Sequence, residues 1–80
     1  MRMVAISKDY NICTGLKLAG VDSYQATTEE ELIKTLSGLA NIDVVITTSE
    51  VNKTKAFENF SKANPHIQLF DINDSWHRVG

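Results

Sequence analysis

The sequence predicts an α/β domain built on a small doubly wound parallel sheet of flavodoxin-like or Rossmann-like type, with four strands in the order 2-1-3-4 flanked by helices. Two observations carry this prediction. The run Ile42-Asp43-Val44-Val45-Ile46-Thr47-Thr48 is nearly unbroken and β-branched, the pattern of a strand covered by helices on both faces; a strand with one wet face would alternate apolar and polar residues. Around it, short apolar runs alternate with segments of helical spacing. Strands and helices in strict alternation give parallel neighbours joined by right-handed crossovers.

The first strand is read from Met3 to Ile6, and the polar group Lys8-Asp9-Tyr10-Asn11 ends it in a loop. Ile12, Leu16 and Ala19 then recur at the spacing of one helical face before Gly20, a stop of the usual kind. Gly15 lies inside this first helix. An interior glycine costs roughly 1 kcal/mol relative to alanine, so it marks close approach to the sheet or to a partner. Val21 to Ala26 alternates weakly and carries Asp22 and Gln25, as an edge strand does.

Thr27 and Thr28 stand three residues before Glu30 and Glu31, a capping-box arrangement, and the Glu29-Glu30-Glu31 run suits the positive end of a helix dipole. Leu32, Ile33, Leu36, Leu39 and Ala40 form the apolar stripe of this second helix. Beyond the Ile42–Thr47 strand, Ser49 is the expected N-cap of a third helix that runs to Asn64, where Pro65 ends it. Its buried side is Ala56, Phe57, Phe60 and Ala63, and Lys53, Lys55, Glu58 and Lys62 form its solvated face. His66 to Ile72 makes the fourth strand, with Ile67, Leu69 and Phe70 as core contributors. The expected division is an α/β domain over residues 1–72 and a short C-terminal tail over 73–80.

Eighty residues, 42% of them hydrophobic, support one domain with a small core. A formal charge of −2, with both signs mixed along the chain, lacks the clustered basic face of a nucleic-acid binder. One cysteine excludes an internal disulfide framework and, with no charged-then-apolar leader, predicts a reducing, cytoplasmic setting. No apolar run approaches the ~18–20 residues needed to cross a bilayer, so no direct membrane insertion is expected.

In the predicted topology the loops Ser7–Ile12 and Thr47–Glu50 meet at the switch point, where such sheets place ligands or partners. Cys13 sits there and would be the nucleophile if the chain were a phosphocysteine-forming sugar-phosphotransferase domain. Cys13-Thr14-Gly15 starts as a phosphate loop would, but Leu16-Lys17-Leu18 fills the place where hydroxyls or glycines should cradle the phosphate. A buried cysteine that packs as a small hydrophobe accounts better for it. Asp9, Asp43, Asp71 and Asp74 do not make a receiver-type acidic pocket, since the third strand ends in Thr47-Thr48 and Asp43 lies at its other end. His66 and His77 lack zinc-ligand spacing, and no G-x-G-x-x-G run follows the first strand. No catalytic group, metal or cofactor is therefore expected.

Three segments together carry a family likeness: Thr14-Gly15-Leu16-Lys17-Leu18-Ala19-Gly20-Val21, the run Ile42 to Val51, and Pro65-His66-Ile67-Gln68-Leu69-Phe70-Asp71-Ile72. In this order and spacing the chain resembles the F subunit of the vacuolar-type and archaeal-type rotary ATPases. There a Gly-aromatic/aliphatic-x-Leu-Ala-Gly-Val/Ile segment follows the first strand, an Asp-Ile/Val-x-Ile-Ile strand leads to a helix, and a Pro-x-Ile strand follows. The resemblance implies a non-catalytic rotor component of the central stalk, docked on the coiled-coil D subunit of that stalk within a hetero-oligomeric complex and peripheral to the membrane through it. Two departures stand out: Ser7-Lys8-Asp9-Tyr10 stands where the family often carries Gly-Asp after the first strand, and family members usually continue into a C-terminal helix where this sequence stops at Gly80. The resemblance therefore implies nothing about regulatory roles of that helix. The residues expected at the partner contact are Thr14, Gly15, Leu16 and Leu18, with Lys8 and Asp9 at the rim.

Overall fold

The computed structural model describes residues 1–72. The expected tail over 73–80, with Asp74, Trp76 and His77, lies outside the described residues. The elements run β1 (Met3–Ser7), α1 (Tyr10–Leu18), β2 (Asp22–Gln25), α2 (Glu29–Gly38), β3 (Val44–Thr47), α3 (Ser49–Asn52), α4 (Lys55–Ala63) and β4 (Gln68–Asp71). All strand pairs are parallel and their order is β2-β1-β3-β4, as the alternation predicts. The step from β1 to β2 moves one way across the sheet, and the steps from β2 to β3 and from β3 to β4 move the other way. With right-handed crossovers this puts α1 on one face of the sheet and α2 and α4 on the other.

Local chemistry sets the helix ends. Asp9 caps α1, its carboxylate accepting from Asn11 N at 2.8 Å and Ile12 N at 3.3 Å, while Ser7 Oγ accepts from Asp9 N at 2.9 Å. At the other end Gly20 takes φ +91, Gly20 N donates to Lys17 O at 3.0 Å and Val21 N to Leu16 O at 2.9 Å. Those two bonds make a Schellman motif, which needs a left-handed residue where glycine stands. The predicted capping box forms between Thr28 and Glu31: Glu31 N donates to Thr28 Oγ1 at 3.1 Å and Thr28 N to Glu31 Oε1 at 3.2 Å.

The single helix expected from Ser49 to Asn64 is broken in two. Thr54 adopts φ −76, ψ 149; its hydroxyl donates to Val51 O at 2.7 Å and accepts from Phe57 N at 3.2 Å, closing α3 and capping α4. A threonine hydroxyl competes in this way with the helical ladder. Nor is Ser49 the N-cap. Thr48 holds that position without a side-chain bond, and Ser49 donates its hydroxyl to Asp71 Oδ2 at 2.9 Å.

The main core lies between the sheet and α2 and α4: Val4, Ile6, Ala26, Leu32, Leu36, Ile42, Val45, Val51 and Phe57 are buried together, with Tyr24, Leu39, Ala56, Phe60 and Ile67 packed against them. Several expected members are outside it. Ala19, Ala40 and Ala63 are not buried, and Ile33 is 50% exposed. Leu69 and Phe70 are 41% and 53% exposed, because β4 is an edge strand and the described chain supplies no wall beyond it. At the amino end of the sheet, Arg2 ties three segments together: its backbone N–H donates to Asp43 Oδ2 at 2.8 Å, Nη1 donates to Ala40 O at 2.9 Å, and Nε lies 4.0 Å from Asp22 Oδ2.

Candidate docking surface on the first helix

The helical register divides the predicted contact residues. Ile12 and Cys13 are buried, so this side of α1 faces the sheet. At 100° per residue, Leu18 then points away from it, and it is 85% exposed. Thr14 is half-buried, and Gly15 is exposed, with nothing within 4 Å of where a Cβ would stand. The close approach to the sheet expected at Gly15 is therefore absent, and the space beside it is open. Lys8 and Asp9 are exposed in the loop between β1 and α1; the Lys8 carbonyl accepts from Gln25 Nε2 at 3.2 Å, and the Asp9 carboxylate is engaged as the cap. Lys8, Asp9, Gly15 and Leu18 are thus all exposed, whereas Leu16, which is half-buried, turns partly into the packing.

Cys13 is placed for packing. It is 4% exposed, and its thiol points at two backbone oxygens, Tyr24 O at 3.4 Å and Ser7 O at 3.8 Å. Burial pushes the thiol pKa up, outweighing the lowering effect of the bond to Ser7. Its own amide is spent on Asp9 O at 3.2 Å, within the helix. Carbonyl oxygens around a sulfur repel a phosphate, whereas a phosphocysteine needs converging N–H donors.

Against this geometry, the family model described as ATP synthase (F/14-kDa) subunit matches residues 4–72. The chain belongs to this family. No curated protein and no solved structure matches it. Membership makes it a component of a rotary ATPase, an accessory part of a hetero-oligomeric complex. Among the described residues no helix is long and apolar enough to cross a membrane.

In this F/14-kDa family member the carboxyl end of β3 and β4 holds a polar cluster that sequence reasoning does not find. Asn52 Nδ2 donates to Asp71 Oδ2 at 3.1 Å, Ser49 Oγ donates to the same oxygen, and Thr47 Oγ1 donates to Asn52 Oδ1 at 2.5 Å. Ser49 and Asn52 stand 22 and 19 positions from Asp71 and meet it only because β3 and β4 are parallel and adjacent, so no local pattern announces the cluster. Asp43 is held by Arg2 at the opposite end of the sheet, and among the described residues no three metal-ligating side chains converge. Tyr10, 66% exposed, is a further surface residue that the sequence pattern does not single out. It lies on the flank of α1 that Lys17 shares, toward β2, away from Gly15.

Proposed function

We propose that this chain is the non-catalytic rotor component of the central stalk in a V/A-type proton- or sodium-translocating ATPase. It binds the coiled-coil D subunit of the stalk and turns with it while other subunits hydrolyse or make ATP. The match to the F/14-kDa family across residues 4–72 carries this reading. The contact runs along α1 and its leading loop, through Gly15 and Leu18 on the exposed surface and the accessible parts of the half-buried Thr14 and Leu16, with Lys8 and Asp9 at the rim. Leu18 offers an exposed apolar side chain and Gly15 a surface without one, the combination that lets a partner backbone come close. The complex holds the chain on the cytoplasmic side, peripheral to the membrane.

The test is co-expression with the stalk subunits of the same genome, followed by size-exclusion chromatography. The chain is expected to co-elute with the coiled-coil subunit, and Leu18→Glu, at a position already in solvent, is expected to weaken the complex without altering the fold. Failure of the unmodified chain to co-elute rejects the rotor assignment. Phosphate found on Cys13 by mass spectrometry after incubation with a histidine-phosphorylated donor would favour the phosphotransferase reading instead.

A further inference from the structure

All the residues of β4 are exposed, and among the described residues no strand lies beyond it. An edge of this kind is a template for another strand. The ladder to β3 decides which residues present their main chain to a newcomer. Gln68 N donates to Asp43 O at 2.9 Å and Ile72 N to Thr47 O at 3.0 Å, so Gln68, Phe70 and Ile72 turn toward β3, while Leu69 and Asp71 turn the other way. In an antiparallel pair of two such edges, outward residues must face outward residues. A two-fold axis can therefore pass only through Leu69, Phe70 or Asp71.

The helix above this edge carries charge. Phe57, Glu58, Ser61 and Lys62, one flank of α4, line an open hollow of about 340 Å³ with Leu69 and Phe70. Two contacts fix the level of helix against strand. Ile67 N donates to Asn64 O at 3.1 Å at one end, and Asn52, just before the Thr54 cap, reaches Asp71 at 3.1 Å at the other. About ten residues of helix at 1.5 Å rise and about four of strand at 3.3 Å cover nearly the same length. Leu69, midway along the strand, thus stands level with Asn59 and Phe60. Glu58 and Lys62 lie on either side of that level, with side chains 59% and 75% exposed and 3.3 Å apart.

We infer that the β4 edge pairs with a second copy of this chain, the two β4 strands running antiparallel about a two-fold axis through Leu69. Charge selects the register. An axis at Leu69 exchanges the two ends of α4, so that Glu58 of each copy meets Lys62 of the other. An axis at Asp71 would oppose two carboxylates, and one at Phe70, about 3.3 Å nearer the carboxyl edge, lies level with Glu58 and sets it against itself. Charge and symmetry also select the occupant, since one flank supplies both members of each pair. Leu69 N–H and C=O bond reciprocally across the axis, and the two Leu69 side chains, each 41% exposed before pairing, cover one another beneath the helices. A crossover helix lies over the strands it joins, so each α4 is about one strand spacing from the axis and the two stand about 10 Å apart, the separation of packed helices. The strip of one strand and one helix flank is smaller than the roughly 800 Å² per partner of a stable pair, so the dimer forms at high protein concentration. The α1 surface proposed for the stalk lies over β1 and β2, and the inference does not depend on the rotor reading.

Sedimentation velocity of the full chain from about 10 μM to about 1 mM tests the inference. The dimer fraction is expected to rise with concentration. Glu58→Lys and Lys62→Glu, each at an exposed helical position, are expected to weaken self-association about tenfold, because each sets like charges across the axis. Circular dichroism checks that both fold. An equimolar mixture of the two variants restores the opposed charges and is expected to recover the association of the unmodified chain, which loss of the pair within one helix cannot explain. Leu69→Cys in a Cys13→Ala background is expected to give a disulfide-linked dimer under mild oxidation, since residues opposed in a hydrogen-bonded antiparallel pair lie about 5.5 Å apart, within disulfide reach. Absence of self-association up to about 1 mM overturns the inference and leaves the rotor reading standing. So does association that both folded charge variants leave unchanged, or that the mixture fails to restore. Association that appears only when residues 73–80 are removed assigns the edge to that segment and also overturns it.

Discussion

Gly15 offers a clean test of whether the first helix is described correctly. It is the sixth of nine residues in α1, with regular helix on both sides, and among the described residues Gly20 is the glycine that carries a positive φ. A methyl group placed on Gly15 meets no atom within 4 Å. Gly15→Ala therefore adds no clash and removes no packing; what remains is the helix-propensity difference, about 1 kcal/mol in favour of alanine. For a domain of this size that corresponds to a rise in Tm of about 4–8 °C. Thermal and urea unfolding followed by circular dichroism measure it, with an unchanged urea m value showing that the same surface is exposed on unfolding. Gly20→Ala supplies the opposite sign: φ +91 forces a Cβ into left-handed geometry, at a cost of about 1–2 kcal/mol. An unchanged or lowered Tm for Gly15→Ala would refute the reasoning, since it would mean that the helix is frayed there or that the site is filled.

The capping box predicts an acid limb of the stability profile. Hydrogen bonds, first from the Thr27 hydroxyl and then from the Thr27 and Thr28 amides, hold the Glu31 carboxyl below its ordinary pKa. The stabilisation is thus present above the unfolded glutamate value of about 4.3 and is lost as pH falls through the lower folded value. Glu31→Gln should flatten that limb in urea titrations between neutral and acid pH. Cys13 has the opposite sense: burial raises its pKa, so its contribution is whole below the ordinary cysteine value of about 8.5 and fades as pH climbs toward the raised one. The native thiol should react with a disulfide reagent far more slowly than the denatured one, and Cys13→Ala should leave partner binding intact. Phe57→Ala, at 3% exposure, should cost about 3–5 kcal/mol, while Phe70→Ala costs much less in the free chain; equal losses in urea unfolding would contradict the assigned core.

The sheet was legible because its signals are local and redundant. The β-branched run at Val44–Thr47, the capping box at Thr28 and the stop at Gly20 each carry their own chemistry. Local reasoning failed where one residue had two competing roles. Thr54 reads as an ordinary helical residue until its hydroxyl is seen to take both Val51 O and Phe57 N. It failed also at Leu69 and Phe70, whose composition says core and whose position on an edge says surface. The site residues divided for a related reason: Leu16 and Leu18 are two positions apart, which on a helix is roughly opposite sides. Only the direction in which the helix meets the sheet decides which of them is left in solvent.

The clasp formed by Ser49, Asn52 and Asp71 bears on the order in which the domain comes apart. The β4 residues are all exposed, so apolar burial within the strand does little to retain it; its backbone bonds to β3 and the carboxylate held by two side chains of α3 help to retain it. A strand secured in this way belongs to the low end of the local-opening spectrum, where amides exchange without global unfolding. Native-state hydrogen exchange should find the amides of β4 released ahead of those of β1, which has a strand on each side. The clasp thus secures the carboxyl end of β4 from the side of α3, while Ile67, packed against the core, secures the residue before its amino end.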